Sequence, residues 1–237
     1  AKYDVQASLA HAIMLESIGI ITAAELKDLK RGLQELAATI ENGTFIIEAS
    51  FEDVHSKIEW ELTHKLGEVG KKIHTARSRN DQVLVALQLY YKENLAVIND
   101  KTKTLFETLL KLAETHKESL LPGYTHLQVA MPSSFGLWFS AYAELLIDDV
   151  YMLHAVAKVV DQNPLGSAAG YGSSFPIDRE LTTKELDFAT LKYNVVAAQL
   201  SRGKSERSIA SALGGLCNTM SRFAMDVCLY MSQNFNF

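Results

Sequence analysis

A short polar stretch of the sequence, HTARSRNDQ from His74 to Gln82, collects side chains that are well suited to bind an anion. It holds two arginines, Arg77 and Arg79, together with the hydroxyl group of Ser78 and the amide group of Asn80. The chain becomes apolar directly after this stretch, which predicts that a long helix begins here. Free backbone N–H groups at a helix N-terminus bind anions well when cations accompany them. The stretch is therefore one candidate binding site.

The same residues also have a purely structural interpretation. Ser78 or Asn80 can cap the helix, and Asp81 favours its positive end. Arg77 and Arg79 would then pair with acidic side chains elsewhere, although the helix macrodipole opposes two cations at this end. The residue types and their spacing leave both interpretations open.

A second candidate lies in the segment GYTHLQ, where His126 stands between Thr125 and Leu127. A histidine has a pKa near neutrality and can therefore act as an acid–base group. A lone histidine is more often a hydrogen-bonded structural residue, and the local sequence does not separate the two roles. The glycines of GSAAGYGSS do not predict phosphate binding, because neither a Walker lysine nor a preceding strand accompanies them.

Long helices must position these segments. Apolar residues recur at every seventh position between Leu84 and Leu112, which predicts a helix from Asp81 to about His116. Similar patterns predict a second helix that begins just after Pro132 and a third from about Glu206 to Asn234. Helices with such stripes need partners along their whole length, so the pattern indicates a helical bundle.

Two shorter helices are predicted before the polar stretch. In the first, Thr22 and Glu25 are spaced as a capping box and Gly43 ends the helix. The second ends near Gly67. Two connecting segments, LPGYTHLQVAMP and DQNPLGSAAGYGSSFPIDRELT, are too rich in Gly, Pro and Ser to be helical. Long loops of this kind are often functional.

The composition excludes several classes of function. The chain has 237 residues, of which 48% are hydrophobic, and a formal net charge of -5. A protein without a basic surface is not expected to bind nucleic acid. No apolar stretch is long enough to span a membrane, and Cys217 and Cys228 lack the spacing of a metal site. We therefore expect a cytoplasmic protein with reduced thiols and no metal.

Three segments closely resemble those of the argininosuccinate lyase family: HTARSRNDQV, GYTHLQVAMP and NPLGSAAGYGSSFPIDR. They occur in the same order and at fitting separations, over essentially the whole chain. The first is highly specific and differs from the usual form mainly at Ala76, where glycine is common. Fumarase and adenylosuccinate lyase share the superfamily but do not carry this string. The resemblance implies an all-α fold, a long-helix bundle of the fumarase/aspartase type with a smaller N-terminal helical domain.

The resemblance also implies how the chain is divided. We expect an incomplete N-terminal helical domain over residues 1–77 and a bundle domain over residues 78–237, incomplete at its C-terminal end. The chain ends before the family's GSSxMPxKxNP loop, which supplies the catalytic serine, so the piece alone is expected to be inactive. The segment LSRGKSERS replaces an Asp-Arg-Asp type stretch, and it leaves Arg202 and Arg207 without an assigned role.

The implied reaction is the reversible cleavage of argininosuccinate to arginine and fumarate in arginine biosynthesis, without a cofactor. A base removes the proton beside a carboxylate, and an acid protonates the departing guanidino group. By match to the family motifs, Asn80 and Thr125 hydrogen-bond the substrate, and Arg79 and Ser78 lie in the same anion-facing strip. His126 matches the family's active-site histidine, an acid–base participant whose direction of proton transfer stays open.

The family builds each active site from three subunits of a homotetramer, so Asn80, Thr125 and His126 need not converge within one chain. Three alternatives remain. One is another lyase of the superfamily, and one is a non-catalytic structural protein of the same fold, as the lens delta-crystallins are. The third is a helical scaffold unrelated to catalysis.

Overall fold

The computed structural model describes residues 1–235 and 237, and most of these residues are helical. The helices are α1 (Lys2–Ser17), α2 (Ala23–Glu41), α3 (Val54–Leu66), α4 (Glu68–Lys71), α5 (Arg79–Thr115), α6 (Phe135–Val160), α7 (Arg179–Glu185), α8 (Val195–Leu200) and α9 (Lys204–Tyr230). A short 3₁₀-helix, Lys72–His74, follows α4. The predicted all-α class is confirmed, and α5, α6 and α9 confirm the three long helices.

Four short strands interrupt the helices. Strands β1 (Leu120–Thr125) and β2 (Gln128–Ser134) form an antiparallel hairpin, while β3 (Gln162–Asn163) and β4 (Thr190–Leu191) pair in parallel. The segment LPGYTHLQVAMP, predicted as a loop, is therefore mostly this hairpin. The first five side chains of β2, residues 128–132, are all exposed, so the segment lacks the one-sided burial that predicts a strand.

The second predicted long helix is confirmed as α6, but Pro132 is not in its first turn. Pro132 pairs with Pro122 inside the hairpin, and α6 begins at Phe135. A proline is tolerated there because each strand of a two-stranded sheet is an edge strand that need not donate at every residue. The side chain of Ser134 begins the helix instead, since its Oγ accepts a hydrogen bond from Leu137 N at 3.1 Å.

The predicted signals for the start and end of the shorter helices are confirmed. Thr22 and Glu25 form a reciprocal capping box: Thr22 N donates to Glu25 Oε2 at 2.9 Å, and Glu25 N donates to Thr22 Oγ1 at 3.3 Å. Gly43 has a φ of 71° directly after the cap residue of α2. Gly67 ends α3 with a φ of 60°. Both glycines adopt a backbone conformation that other residues rarely reach.

The chain forms two compact units, and each unit contains two segments. The first unit consists of Ala1–Lys92 and Val159–Lys204, and the second consists of Glu93–Lys158 and Ser205–Phe237. The boundary predicted after residue 77 falls inside the first unit. The division into a domain of residues 1–77 and a bundle domain stays a prediction.

The core of the first unit lies between α1, α2 and α3 and continues onto the start of α5. Its fully buried members include Leu15, Leu29, Leu33 and Leu62. Small residues on α1 allow close packing of that helix against the first turns of α5, where Val85 and Leu89 are buried. The packing of α1 against Val85 and Leu89 therefore fixes the start of α5 and, with it, the position of the polar residues just before these two.

The second unit contains the remaining parts of α5 and α6, the hairpin and most of α9. Aromatic rings of α6 and α9 pack together around Asp226, whose Oδ2 accepts hydrogen bonds from Tyr142 Oη at 2.6 Å and Trp138 Nε1 at 3.1 Å. Burial, followed by the hydrogen bond to Asp226, raises the pKa of Tyr142. The apolar side chains that stay exposed in this unit include Tyr151, Met152, Met225 and Leu137.

Candidate functional site

Ser78 occupies the position that caps α5. The helix begins at Arg79, and Ser78 Oγ accepts a hydrogen bond from Asn80 N at 3.3 Å. Ser78 N in turn donates to Asp81 Oδ1 at 3.0 Å. The side chains of Ser78 and Asp81 thus each accept a hydrogen bond from a backbone N–H group at the start of the helix. The side chain of Asn80 is exposed, and its Nδ2 donates a hydrogen bond to Ser78 Oγ at 3.4 Å. Of the two residues predicted as caps, Ser78 takes the role, and the Asn80 amide faces solvent.

The two arginines of the stretch differ in their surroundings. Arg79 forms an ion pair with Glu59 and donates to Gln82 Oε1 at 3.0 Å. Arg77 is buried and donates from Nη1 to Ser8 Oγ at 2.9 Å. Burial lowers the pKa of Arg77. Arg79 thus pairs with an acidic side chain, as the structural interpretation predicts, whereas the hydrogen-bond partner of Arg77 is a serine.

A buried layer of polar side chains lies beneath the stretch and was not identified from the sequence. The carboxylate of Asp4 lies 2.9 Å from His55 Nδ1 and accepts a hydrogen bond from Gln82 Nε2 at 2.8 Å. Burial on its own raises the pKa of Asp4, but the hydrogen bonds from His55 and Gln82 and the charge of Arg77 bring it below its ordinary value. The layer ties the start of α5 to α1 and α3.

His11 extends this layer to Thr75, near the start of the stretch. Its Nε2 lies 2.8 Å from the carbonyl oxygen of Thr75, and the side chain is only 2% exposed. Burial, reinforced by the charge of Arg77, lowers the pKa of His11 to about 3, so its imidazole is neutral at physiological pH. A sequence signal exists, because Asp4, Ser8 and His11 follow one another at helical spacing among alanines and therefore share one face of α1.

The hairpin carries the second group of predicted residues. His126 and Leu127 form its two-residue turn between the paired residues Thr125 and Gln128, and their φ angles are 51° and 61°. Turns of this kind favour Asn-Gly, so His-Leu is a strained choice. Backbone strain of this kind is concentrated at functional sites. Thr125 and His126 are both exposed, so the imidazole is accessible at the tip of the hairpin.

The base of the hairpin is fixed within the second unit. A register shift between Gly123 and Tyr124 leaves an additional residue on the opposite strand. The ring of Tyr124 lies edge-on to that of Phe235, with ring centroids 5.1 Å apart. The position of His126 therefore depends on the packing of the residues that follow α9.

The predicted site residues fall into two groups. Ser78, Arg79 and Asn80 lie together in the first unit, while Thr125 and His126 are adjacent in the second. Their roles in binding and catalysis stay predictions. Arg202, which received no role from the sequence, donates from Nη2 to the carbonyl oxygen of Asn80 at 3.3 Å. It therefore adds a cation beside the first turn of α5.

Two further features concern the described part of the chain, residues 1–235 and 237. These residues contain no group of three or more His, Cys, Asp or Glu side chains that could hold a metal ion. Among the same residues, no helix has the length and apolar character that crossing a membrane requires.

Comparison with known proteins identifies relatives of this chain. A family model described as a lyase matches residues 1–237. The argininosuccinate lyase of Phocaeicola vulgatus is 56% identical over 237 residues, that of Bacteroides fragilis is 54% identical, and that of Stenotrophomonas maltophilia is 45% identical over 235 residues. These matches cover 100%, 100% and 99% of the chain and 53%, 53% and 54% of the relatives. The chain thus spans about half the length of the curated relatives it matches.

Solved structures with the same fold include an EDDS lyase variant with bound fumarate. It has a TM-score of 0.82 and 26% identity, and the match covers 98% of this chain and 46% of that one. A fumarate lyase from Mesorhizobium has a TM-score of 0.82 at 19% identity, over 99% of this chain and 55% of that one, and it supports the fold alone. The resemblance to argininosuccinate lyases and the fumarase/aspartase type of fold are both confirmed.

Proposed function

The chain belongs to the lyase family, and we propose that the whole protein acts as an argininosuccinate lyase. The observation that carries the proposal is the exposed amide of Asn80 on the first turn of α5, next to a cap formed by Ser78. Because Ser78 provides the cap, Asn80 is available for a ligand. The relatives that match the whole chain at 53–56% identity are all named argininosuccinate lyase, which supports argininosuccinate as the substrate.

The strip at the start of α5 suits one carboxylate of the substrate. The Asn80 amide and the N–H groups of the first helical turn are donors, and the positive end of the macrodipole favours a negative charge there. Arg79 is paired with Glu59 and Gln82, so it contributes mainly by fixing this turn. Thr125 is the proposed donor on the hairpin. These fixed donors would stabilise the charge that develops beside a carboxylate during proton removal.

The proposed reaction needs a base and an acid. The base removes a proton from the carbon next to a carboxylate, and the electron pair forms the double bond of fumarate as the C–N bond breaks. The departing guanidino nitrogen takes up a proton and leaves as arginine. His126 is the proposed acid–base participant because its imidazole is exposed at the tip of a strained hairpin. Backbone strain is concentrated at functional sites, and a histidine can exchange protons near neutral pH, which together favour this role.

We also propose that the protein is a cytoplasmic homotetramer with shared active sites that functions in arginine biosynthesis. Exposed apolar side chains on the helices of the second unit support the assembly, among them Leu137, Tyr151, Met152, Met220 and Met225. Exposed apolar surface on long helices is typical of an interface between subunits. Light scattering of the whole protein should give the mass of a tetramer, and a stable monomer at micromolar concentration would contradict this assembly.

The proposed activity is tested by following the absorbance of fumarate. The whole protein is incubated separately with argininosuccinate and with adenylosuccinate, and we expect fumarate only from the first. Release from adenylosuccinate alone would assign the protein to another lyase of the superfamily. Release from neither substrate by a folded tetramer would favour a non-catalytic structural protein.

A further inference from the structure

Asp81 joins the start of α5 to a distant segment of the first unit. Its side chain is 0% exposed. Oδ1 accepts a hydrogen bond from Ser78 N at 3.0 Å, and Oδ2 accepts hydrogen bonds from Gly166 N and Ala168 N, both at 2.9 Å. The sequence predicts only that Asp81 favours the positive end of the helix. The structure shows a carboxylate that binds three backbone N–H groups from two segments.

The segment that Asp81 binds, residues 164–173, has a second point of attachment. Gln199 Nε2 donates to Ser167 Oγ and to the carbonyl oxygen of Ala168, both at 3.0 Å. Ser167 is completely buried. Asp81 and Gln199 thus hold the same three-residue turn, Asp81 through its N–H groups and Gln199 through its oxygens.

Glycines at both ends of this segment have positive φ angles. Gly166 has a φ of 85°, and a Cβ added there would lie 2.8 Å from Arg179 Cγ. Farther along, Gly170 and Gly172 have φ angles of 116° and 79°, and Tyr171 between them is 88% exposed. The chain is therefore fixed where Asp81 binds it and presents an aromatic side chain to the surface a few residues later.

Two unfavourable features coincide at this joint. Ala168 has a φ of 49°, which disfavours any residue with a side chain. Burial raises the pKa of the Asp81 carboxyl group although three N–H groups oppose that shift. A simple helix cap requires neither feature: Asp53 caps α3 through one hydrogen bond from Ser56 N at 2.7 Å and stays partly exposed. Local features that oppose stability are expected where the geometry has a function.

We propose that Asp81 is a positioning residue, which holds the segment 164–173 beside Asn80 so that both form one substrate-binding wall. This inference rests on the proposed function, since it assigns a second wall to the same site. Arg202 supports it, because its guanidinium binds the Asn80 carbonyl oxygen at 3.3 Å and lies three residues after Gln199. Asn80 is therefore held through its carbonyl oxygen by Arg202, while the next residue, Asp81, binds Gly166 and Ala168 of the segment.

The test replaces Asp81 by Asn in the whole protein. An amide side chain offers one oxygen and directs its NH₂ group toward N–H donors, so it cannot accept all three hydrogen bonds. The matched control is Asp178→Asn, because Asp178 caps α7 through Leu181 N at 2.8 Å and asparagine caps a helix equally well. We expect Asp81→Asn to raise the KM for argininosuccinate about tenfold and leave kcat within about twofold, since a binding wall acts on substrate and transition state alike. The control should keep the parental KM.

A second variant keeps the inference testable if Asp81→Asn does not fold. Gln199→Ala removes the other attachment of the segment at a partly exposed position and should raise KM in the same way. Parental KM values in every folded variant, measured well below the melting temperature, would overturn the inference and leave only a structural role for Asp81.

Hydrogen exchange separates this inference from the proposed function. We expect peptides that cover residues 164–173 and 78–82 to exchange faster in Asp81→Asn, or in Gln199→Ala should the first variant not fold, than in the parent. A parent that releases no fumarate contradicts the proposed function. Exchange that stays unchanged in both segments contradicts the joint itself, whatever the activity.

Discussion

The buried imidazole of His11 predicts that the first unit loses stability in mild acid. His11 is held neutral against the carbonyl oxygen of Thr75, and burial lowers its pKa to about 3. In the unfolded chain a histidine has a pKa of about 6.5. At a pH between these two pKa values, His11 is therefore protonated in the unfolded state and neutral in the folded state. The stabilisation by the neutral imidazole is complete above about pH 6.5 and is lost progressively as the pH falls toward 3.

The magnitude follows from the difference between the two pKa values. Each pH unit below 6.5 lowers the free energy of unfolding by about 1.4 kcal/mol, so His11 should account for about 2 kcal/mol between pH 7 and pH 5. The measurement is urea denaturation of the parent and of His11→Gln at pH 7, 6 and 5. Glutamine can still donate to Thr75, but it does not titrate in this range. The variant should lose about 2 kcal/mol less than the parent, and equal losses in both proteins would refute this reasoning.

Two further predictions concern packing in the two units. Gly70→Ala places a Cβ 2.4 Å from the carbonyl oxygen of Leu62, so we expect it to lower the free energy of unfolding by roughly 1–3 kcal/mol. Urea titration measures this change, and an unchanged midpoint would contradict the close approach of α4 to α3. Asp226→Ala removes the common acceptor of Tyr142 and Trp138 and should destabilise the second unit by roughly 1–3 kcal/mol. Thermal melting of Asp226→Ala measures this, and a melting temperature equal to that of the parent would show that water replaces the carboxylate.

Local signals in the sequence were sufficient for the start of α2 and for the ends of α2 and α3. The capping box at Thr22 and the glycines at 43 and 67 act within one helical turn, so their effect is readable from neighbouring residues. The long apolar stripes predicted α5, α6 and α9, although α6 begins only at Phe135 and α9 ends at Tyr230 rather than Asn234. Pro132 misled the prediction because a proline suits both a first helical turn and an edge strand.

The geometry beneath the site could not be read in the same way, because it depends on contacts between distant residues. Gln82 binds Asp4 across 78 positions, and Asp81 binds Gly166 across 85. Nothing in the local pattern at Asp81 distinguishes a buried joint from a residue that only favours the helix dipole. The sequence also left Ser78 and Asn80 as equal candidates for the cap, since both residue types cap helices well. The start of α5 at Arg79 and the hydrogen bond from Asn80 N to Ser78 Oγ separate them.

The most direct test of the proposed binding strip is Asn80→Ala in the whole protein. Because Ser78 caps α5, the free energy of unfolding should change by less than about 0.5 kcal/mol, while loss of a hydrogen bond to a substrate carboxylate should raise KM by about tenfold or more. Thr22→Ala is the control, since losing a true cap should lower stability by about 1 kcal/mol and leave KM unchanged. The result that contradicts the strip is an Asn80→Ala protein that binds argininosuccinate like the parent and loses about 1 kcal/mol of stability, as a helix cap would.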